Sequence, residues 1–145
     1  MRKKRRRKRC RYYVNTNFVV DLLEKRREAI VFAVRHRGTI CSSRVLLHEF
    51  KGTGKLVDAK RILGSYGITV YKLGKRRAWV AARVEEAIAV LPRVGPNTLL
   101  DWIHIFAARA LGAKYFVTAD RAVCKRAIRA GLCCINYREG GEEYP

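Results

Sequence analysis

The chain has 145 residues, 49% of them apolar, which is enough for one domain with a real core and too apolar for a disordered chain. Its formal net charge is +20, from 32 Lys and Arg against 12 Asp and Glu, so an anionic polymer is the natural partner and binding should weaken steeply with salt. The longest apolar runs, such as 29–34, are too short to cross a bilayer, and Asp21, Glu24 and Lys25 interrupt the stretch after the basic N-terminus; neither a membrane span nor a signal peptide is expected, and a cytoplasmic location is.

Residues 1–11 carry nine of the basic residues and no acid, and read as a disordered arm, either solvated or phosphate-binding. The remainder holds 23 basic and 12 acidic residues, still +11, so the folded body is basic too. Residues 12–138 are expected to form one domain and 139–145 a polar tail. The cysteines, five in number and irregularly spaced, show no zinc pattern. Cys41, Cys133 and Cys134 read as small buried apolar residues in a reducing compartment.

Tyr12 to Asn15 predict a first strand, and 18–37 one helix closed by Gly38. Residues 39–43 form a short extended piece or loop, and 44–50 a short helix stopped by Gly52. A helix within 54–67 precedes a strand at 68–73. Residues 76–91 read as helix ended by Pro92, and 96–112 as helix between Pro96 and Gly112. A strand at 114–119, a helix at 120–131 and a strand at 133–137 complete the body. Strands alternating with helices imply a three-layer α/β/α fold around a parallel sheet of four or five strands.

With so few acids, each can be weighed. Glu49, Asp101 and Asp120 are flanked by apolar residues, and Asp21 is a more ambiguous fourth. Burying a carboxylate is costly unless it is paired or binds a cation. Each has a structural alternative: Asp101 forms a capping box with Thr98, Asp120 is an N-cap, and Glu49 pairs with an arginine. Taken together they point elsewhere. Asn15 and Asp120 both follow strands of the presumed parallel sheet, at the carboxyl edge where ligands bind. Asp101 opens the helix that leads into the second of those strands, and Glu49 sits on a helix able to face the same spot. Three carboxylates in a cationic molecule suit a hard divalent ion, Mg²⁺ or Mn²⁺. A basic surface that gathers a nucleic acid around an acidic metal site is the layout of a metal-dependent nuclease.

At these residues the sequence resembles the PIN domain family, and within it the small VapC-like toxin ribonucleases. The likeness runs through VNTNFVVDLL at 14–23, LLHEF at 46–50, LLDWIHIFAARALGAKYFVTAD at 99–120 and INY at 135–137. It implies a metal-dependent endoribonuclease acting on single-stranded RNA. Asn15, Glu49, Asp101 and Asp120 would be the metal ligands, the three acids catalytic, with Asn17 and Thr118 supporting the site. The family's first motif normally starts with aspartate where this chain has Asn15. An amide oxygen can coordinate Mg²⁺ but brings no charge, so an attenuated or silenced enzyme is expected. The alternative is a non-catalytic RNA-binding module of the same fold, for example ribosome-associated. The resemblance also implies an antitoxin protein partner and a homodimer. RNA contact is assigned to Arg5, Arg6 and Arg7 of the arm and to Lys75, Arg76 and Arg77.

His104, one turn after Asp101, could approach the site, although a structural partner is the expected role. GTGK at 52–55 lacks the spacing of a P-loop and reads as a turn. Trp79 and Trp102 are assigned to the core. Tyr12 and Tyr13 are read as core with an option to stack on RNA.

Overall fold

The computed structural model describes residues 10–90, 96–139 and 142–144. Arg5, Arg6 and Arg7, with most of the expected arm, lie outside the described residues. Cys10 and Arg11 do not belong to that arm: Cys10 is buried, and the Arg11 N–H donates to the Thr39 carbonyl at 3.0 Å.

Five strands run parallel: β1 (Tyr12–Val14), β2 (Ile40–Ser43), β3 (Thr69–Tyr71), β4 (Tyr115–Thr118) and β5 (Cys133–Asn136). A sixth, β6 (Glu142–Tyr144), pairs antiparallel with β5, so the expected polar tail closes one edge of the sheet. The strand order is β3-β2-β1-β4-β5-β6. The chain leaves β1 toward β2 and β3, then returns to β4 on β1's other side. The crevice outside the carboxyl ends of β1 and β4 is therefore the topological switch point, where α/β folds bind ligands.

The strands alternate between two cores, as a period of two requires when both faces are covered. Tyr12, Val14, Tyr115, Val117 and Ile135 face one layer of helices, while Tyr13, Cys41 and Phe116 face the other. The first layer contains α1 (Thr16–Leu23), α2 (Arg27–Arg35), α3 (Arg44–Phe50) and α4 (Leu56–Ser65), packed through Phe18, Phe32, Leu46 and Leu63. The second contains α5 (Arg76–Val90), α6 (Pro96–Ala110) and α7 (Arg121–Arg129), packed through Val80, Trp102, Ile105 and Val123. Ala107 and Ala108 are fully buried on α6; their small side chains let that helix lie close to the sheet. This is the three-layer α/β/α arrangement expected from the sequence.

Several expectations need correction. The single helix at 18–37 is two helices, because Lys25 adopts φ 58° and turns the chain between α1 and α2. The left-handed conformation costs a residue with a Cβ roughly 1 kcal/mol. It is held by the Lys25 N–H on the Leu22 carbonyl at 3.1 Å and the Arg26 N–H on the Asp21 carbonyl at 2.8 Å. The cysteines are not all free: Cys10 pairs with Cys41 and Cys124 with Cys134, at Cα separations of 5.2 and 5.5 Å, leaving Cys133 as a thiol. Trp102 is buried as expected, but Trp79 is 37% exposed. Among the described residues, no helix is long and apolar enough to cross a membrane.

Candidate functional site

Each site residue is placed by the end of a strand or by a helix lying over the sheet's carboxyl edge. Asn15 follows β1 directly and is 5% exposed. Its Nδ2 donates to Oγ1 of Thr118, the last residue of β4, at 3.2 Å. This bond bridges the switch point. Asn15 Oδ1 is buried and has no hydrogen-bond partner. Thr118 Oγ1 also accepts from the Asp120 N–H at 3.2 Å, so one hydroxyl ties both strand ends together. Asn17 is exposed two residues further on, and its carbonyl accepts from the Tyr137 hydroxyl at 3.4 Å.

Asp120 caps α7, with Oδ1 accepting from Ala122 N–H at 2.8 Å and Val123 N–H at 3.4 Å. The N-cap alternative thus holds for this residue. The capping box does not hold for Asp101, because α6 begins at Pro96, two residues before Thr98. Asp101 instead accepts from Arg126 of α7 at 3.3 Å. Its carboxyl is pushed up to about 6, first by burial and further by the charges of Asp120 and Glu49, against the opposing pull of Arg126 and His104. The three acids therefore share one electrostatic neighbourhood.

Glu49 takes a partner the sequence did not supply. Its Oε1 meets Nε2 of His104, and its Oε2 accepts from the Thr16 hydroxyl at 2.5 Å. His104 Nδ1 lies 2.7 Å from the Tyr13 hydroxyl, which also meets Ser43 Oγ at 2.8 Å. Burial works to raise the Glu49 carboxyl, but the hydrogen bond and charge of His104, with the Thr16 hydroxyl, hold it below its ordinary value. Burial also pushes the Tyr13 hydroxyl up, keeping it a neutral donor. A continuous chain thus runs from Ser43 through Tyr13, His104 and Glu49 to Thr16, under the carboxyl edge. Of its members, the sequence offered only Glu49 and His104. Tyr13 looked like core, and no local pattern marks Ser43 or Thr16.

Asp21 serves another purpose. Arg138 grips it with Nε at 2.9 Å and Nη2 at 2.8 Å, the Tyr137 hydroxyl donates at 2.5 Å, and Arg26 approaches to 3.5 Å. A polar cleft of about 380 Å³ opens beside this cluster, lined by Asn17, Asp21, Glu24, Asp120 and Arg138.

The oxygen donors are of the kind a hard cation takes, and the unpartnered Asn15 Oδ1 and the strained ionisation of Asp101 are what such an ion would relieve. The carboxylates are nonetheless engaged as they stand: Glu49 by His104, Asp120 by its helix, Asp101 by Arg126. Among the described residues, no three His, Cys, Asp or Glu side chains are grouped so as to hold a metal ion. The four residues reach one edge, then, without forming a finished ligand cage. Lys75, Arg76 and Arg77 are exposed at the start of α5, and the cleft lined by Lys75 and Arg76 includes none of Asn15, Glu49, Asp101 and Asp120.

The architecture is a three-layer α/β/α fold with five parallel strands and one antiparallel edge strand. It is similar to the crystal structure of VapBC2 from Rickettsia felis, bound to a DNA fragment from its promoter: TM-score 0.62, 20% sequence identity, covering 85% of this chain and 96% of that one. No family model and no curated protein matches the sequence.

Proposed function

We propose that the carboxyl edge of the sheet is a divalent-metal site for endonucleolytic cleavage of single-stranded RNA, attenuated by the amide at Asn15. Two observations at that edge carry this reading: Asp101 is raised to about 6 by burial and by Asp120 and Glu49, and the Asn15 oxygen is buried without a partner. The partners of Glu49 and Asp120 leave Asp101 with a raised carboxyl despite Arg126, and a cation there would relieve it. Asn15, Glu49, Asp101 and Asp120 would hold Mg²⁺ or Mn²⁺, which when bound supplies polarisation of the phosphate and activation of water. The chain's own groups prepare the site. His104 and Thr16 hold Glu49 ionised and oriented. Thr118 fixes Asn15 and the backbone entering Asp120. Asn15 offers an oxygen without charge and cannot act as a base. Asn17, exposed in the adjoining cleft, supports the substrate side.

The test is cleavage of a single-stranded RNA with Mg²⁺ and with Mn²⁺ by the natural chain, Asn15→Asp and Asp101→Asn. Weak cleavage by the natural chain, a gain of at least tenfold in Asn15→Asp, and none in Asp101→Asn is the expected pattern. Absence of metal-dependent cleavage from Asn15→Asp would overturn the reading.

A second reading, a non-catalytic RNA-binding module, is favoured by the engagement of Asp120 as a helix cap and of Glu49 by His104. RNA binding without cleavage by any variant would select it. A cytoplasmic location, an antitoxin partner and a homodimer accompany the first reading, and the VapBC2 assembly gives it a structural precedent. Copurification with a small acidic protein would support the antitoxin.

A further inference from the structure

Trp79 is the one exposed aromatic among the large exposed apolar residues of the described chain, at 37%; the others are valines. It stands on the outer side of α5, with the guanidiniums of Arg83 and Arg109 at 5.6 and 5.9 Å from the ring centre and Phe106 edge-on at 6.4 Å. These contacts fix the indole in orientation while leaving part of it open. Lys75, Arg76, Trp79, Arg109 and Ala110 line an open cleft of about 450 Å³ beside it. Arg83 is paired with Glu86 at 2.9 Å. Among the described residues, Lys75, Arg76 and Arg109 have no salt bridge, and all three are exposed, as is the neighbouring Arg77.

We infer that this α5–α6 patch is a binding surface for single-stranded nucleic acid, separate from the carboxyl edge: Trp79 stacks a base while Lys75, Arg76 and Arg109 take the flanking phosphates. Stacking on an aromatic ring inside a cationic groove is how single strands are held without sequence readout. Two other occupants fit less well. A membrane-seated face needs several apolar side chains, and this cleft offers one indole and one alanine. A symmetric contact between two copies would bring the same unpaired cations together across the axis, whereas interface cores are depleted in charge. The inference goes beyond the nuclease reading and does not need it, because binding at this patch requires no metal.

The experiment titrates the full chain with a short oligouridylate in EDTA, so that cleavage plays no part. Anisotropy of the labelled oligonucleotide gives affinity, and tryptophan emission reports the site, since Trp102 is buried at 8% exposure. Quenching of Trp79 emission is expected on binding. Trp79→Ala should weaken binding about tenfold, with Trp79→Phe recovering part of it. Lys75→Ala/Arg76→Ala should lower affinity and flatten the salt dependence by about two phosphate contacts. Circular dichroism and melting of each variant separate lost binding from lost fold; Phe at position 79 keeps the contact with Phe106. Unchanged affinity in Trp79→Ala with no quenching in the natural chain overturns the inference. So does a Trp79-dependent shift from dimer to monomer in light scattering, or Trp79-dependent binding to anionic phospholipid vesicles without binding to oligouridylate. Loss of RNA cleavage in Asp101→Asn with quenching intact would show that the two surfaces act separately.

Discussion

Asn15 gives its Nδ2 to Thr118 Oγ1 at 3.2 Å, across the point where the sheet's connections diverge, and keeps its Oδ1 buried without a partner. An amide satisfies this geometry with a donor that a carboxylate lacks. In Asn15→Asp the bond survives only if Thr118 becomes the donor. That removes its hydroxyl proton from other use and buries a new charge beside the hydroxyl that also accepts from the Asp120 N–H.

Asn15→Asp should therefore be less stable than the natural chain in EDTA, by about 1–3 kcal/mol. It should recover that loss on addition of Mn²⁺ through preferential binding to the folded state. Asp101→Asn should move the other way. The Asp101 carboxyl, raised to about 6 from 3.8, titrates above its unfolded value, so at neutral pH it opposes folding. Removing the charge should stabilise the metal-free protein at pH 7 by about 1–2 kcal/mol while abolishing any metal response. Denaturant melts with and without Mn²⁺ check both; a more stable Asn15→Asp in EDTA would contradict the account.

The Glu49–His104 contact predicts a coupling. Either partner alone is a buried polar group: His104 is 4% exposed at the side chain and Glu49 20%. Removing one leaves an atom of the other without its partner, Glu49 Oε1 or His104 Nε2, which costs more than the contact itself is worth. His104→Ala and Glu49→Gln should each destabilise, and the double variant should fall short of the sum by about 1–2 kcal/mol. Additivity within the error of the melts would mean that the pair does not act as a unit.

Asp21 sets the acid limb of the stability profile. Burial raises its carboxyl, but the hydrogen bonds of Arg138 and Tyr137, then the charges of Arg138 and Arg26, outweigh it and hold it below the ordinary value. A depressed folded value means that the contribution is fully present above the ordinary carboxylate range and is lost as pH falls through the lowered one. Asp21→Asn should cost about 2–4 kcal/mol at neutral pH and flatten the decline of stability toward acid. If its profile parallels that of the natural chain below pH 4, the acid sensitivity has another source.

How much of this was legible in the sequence follows from how far each feature depends on distant partners. The β-branched and aromatic run Tyr115, Phe116 and Val117 is local, and it placed β4, though not which face each residue takes. Asp120 sits directly after a strand and before a helix, so its cap was equally visible. The turn at Lys25 was not, because a left-handed lysine carries no glycine signal. The Tyr13–His104 contact spans 91 positions and the Asp21–Arg138 pair 117; neither residue type at such spacing distinguishes a network from ordinary core. Trp79 looked like core because a helix pattern shows which residues share a face, and only packing shows whether that face is covered.

The cysteines carry the last prediction, and they reverse the reading from spacing alone. Cys10–Cys41 ties the segment just before β1 to its neighbouring strand β2 across 31 positions, and Cys124–Cys134 staples α7 to β5 across 10. All four are at most 8% exposed, so reductant reaches them only as the fold opens. Each loop closure should contribute about 3 kcal/mol, mainly by restricting the unfolded chain. Denatured, unreduced protein should titrate with one thiol, Cys133. Prior reduction should lower the denaturant midpoint markedly, and Cys10→Ser should reproduce about half of that loss. Such bonds persist inside heat-adapted cells as well as in oxidising compartments, so the thiol count taken on protein alkylated at the moment of lysis decides whether they form where the protein works. Five titratable thiols under those conditions would show that the cysteines remain reduced there, whatever their spacing allows.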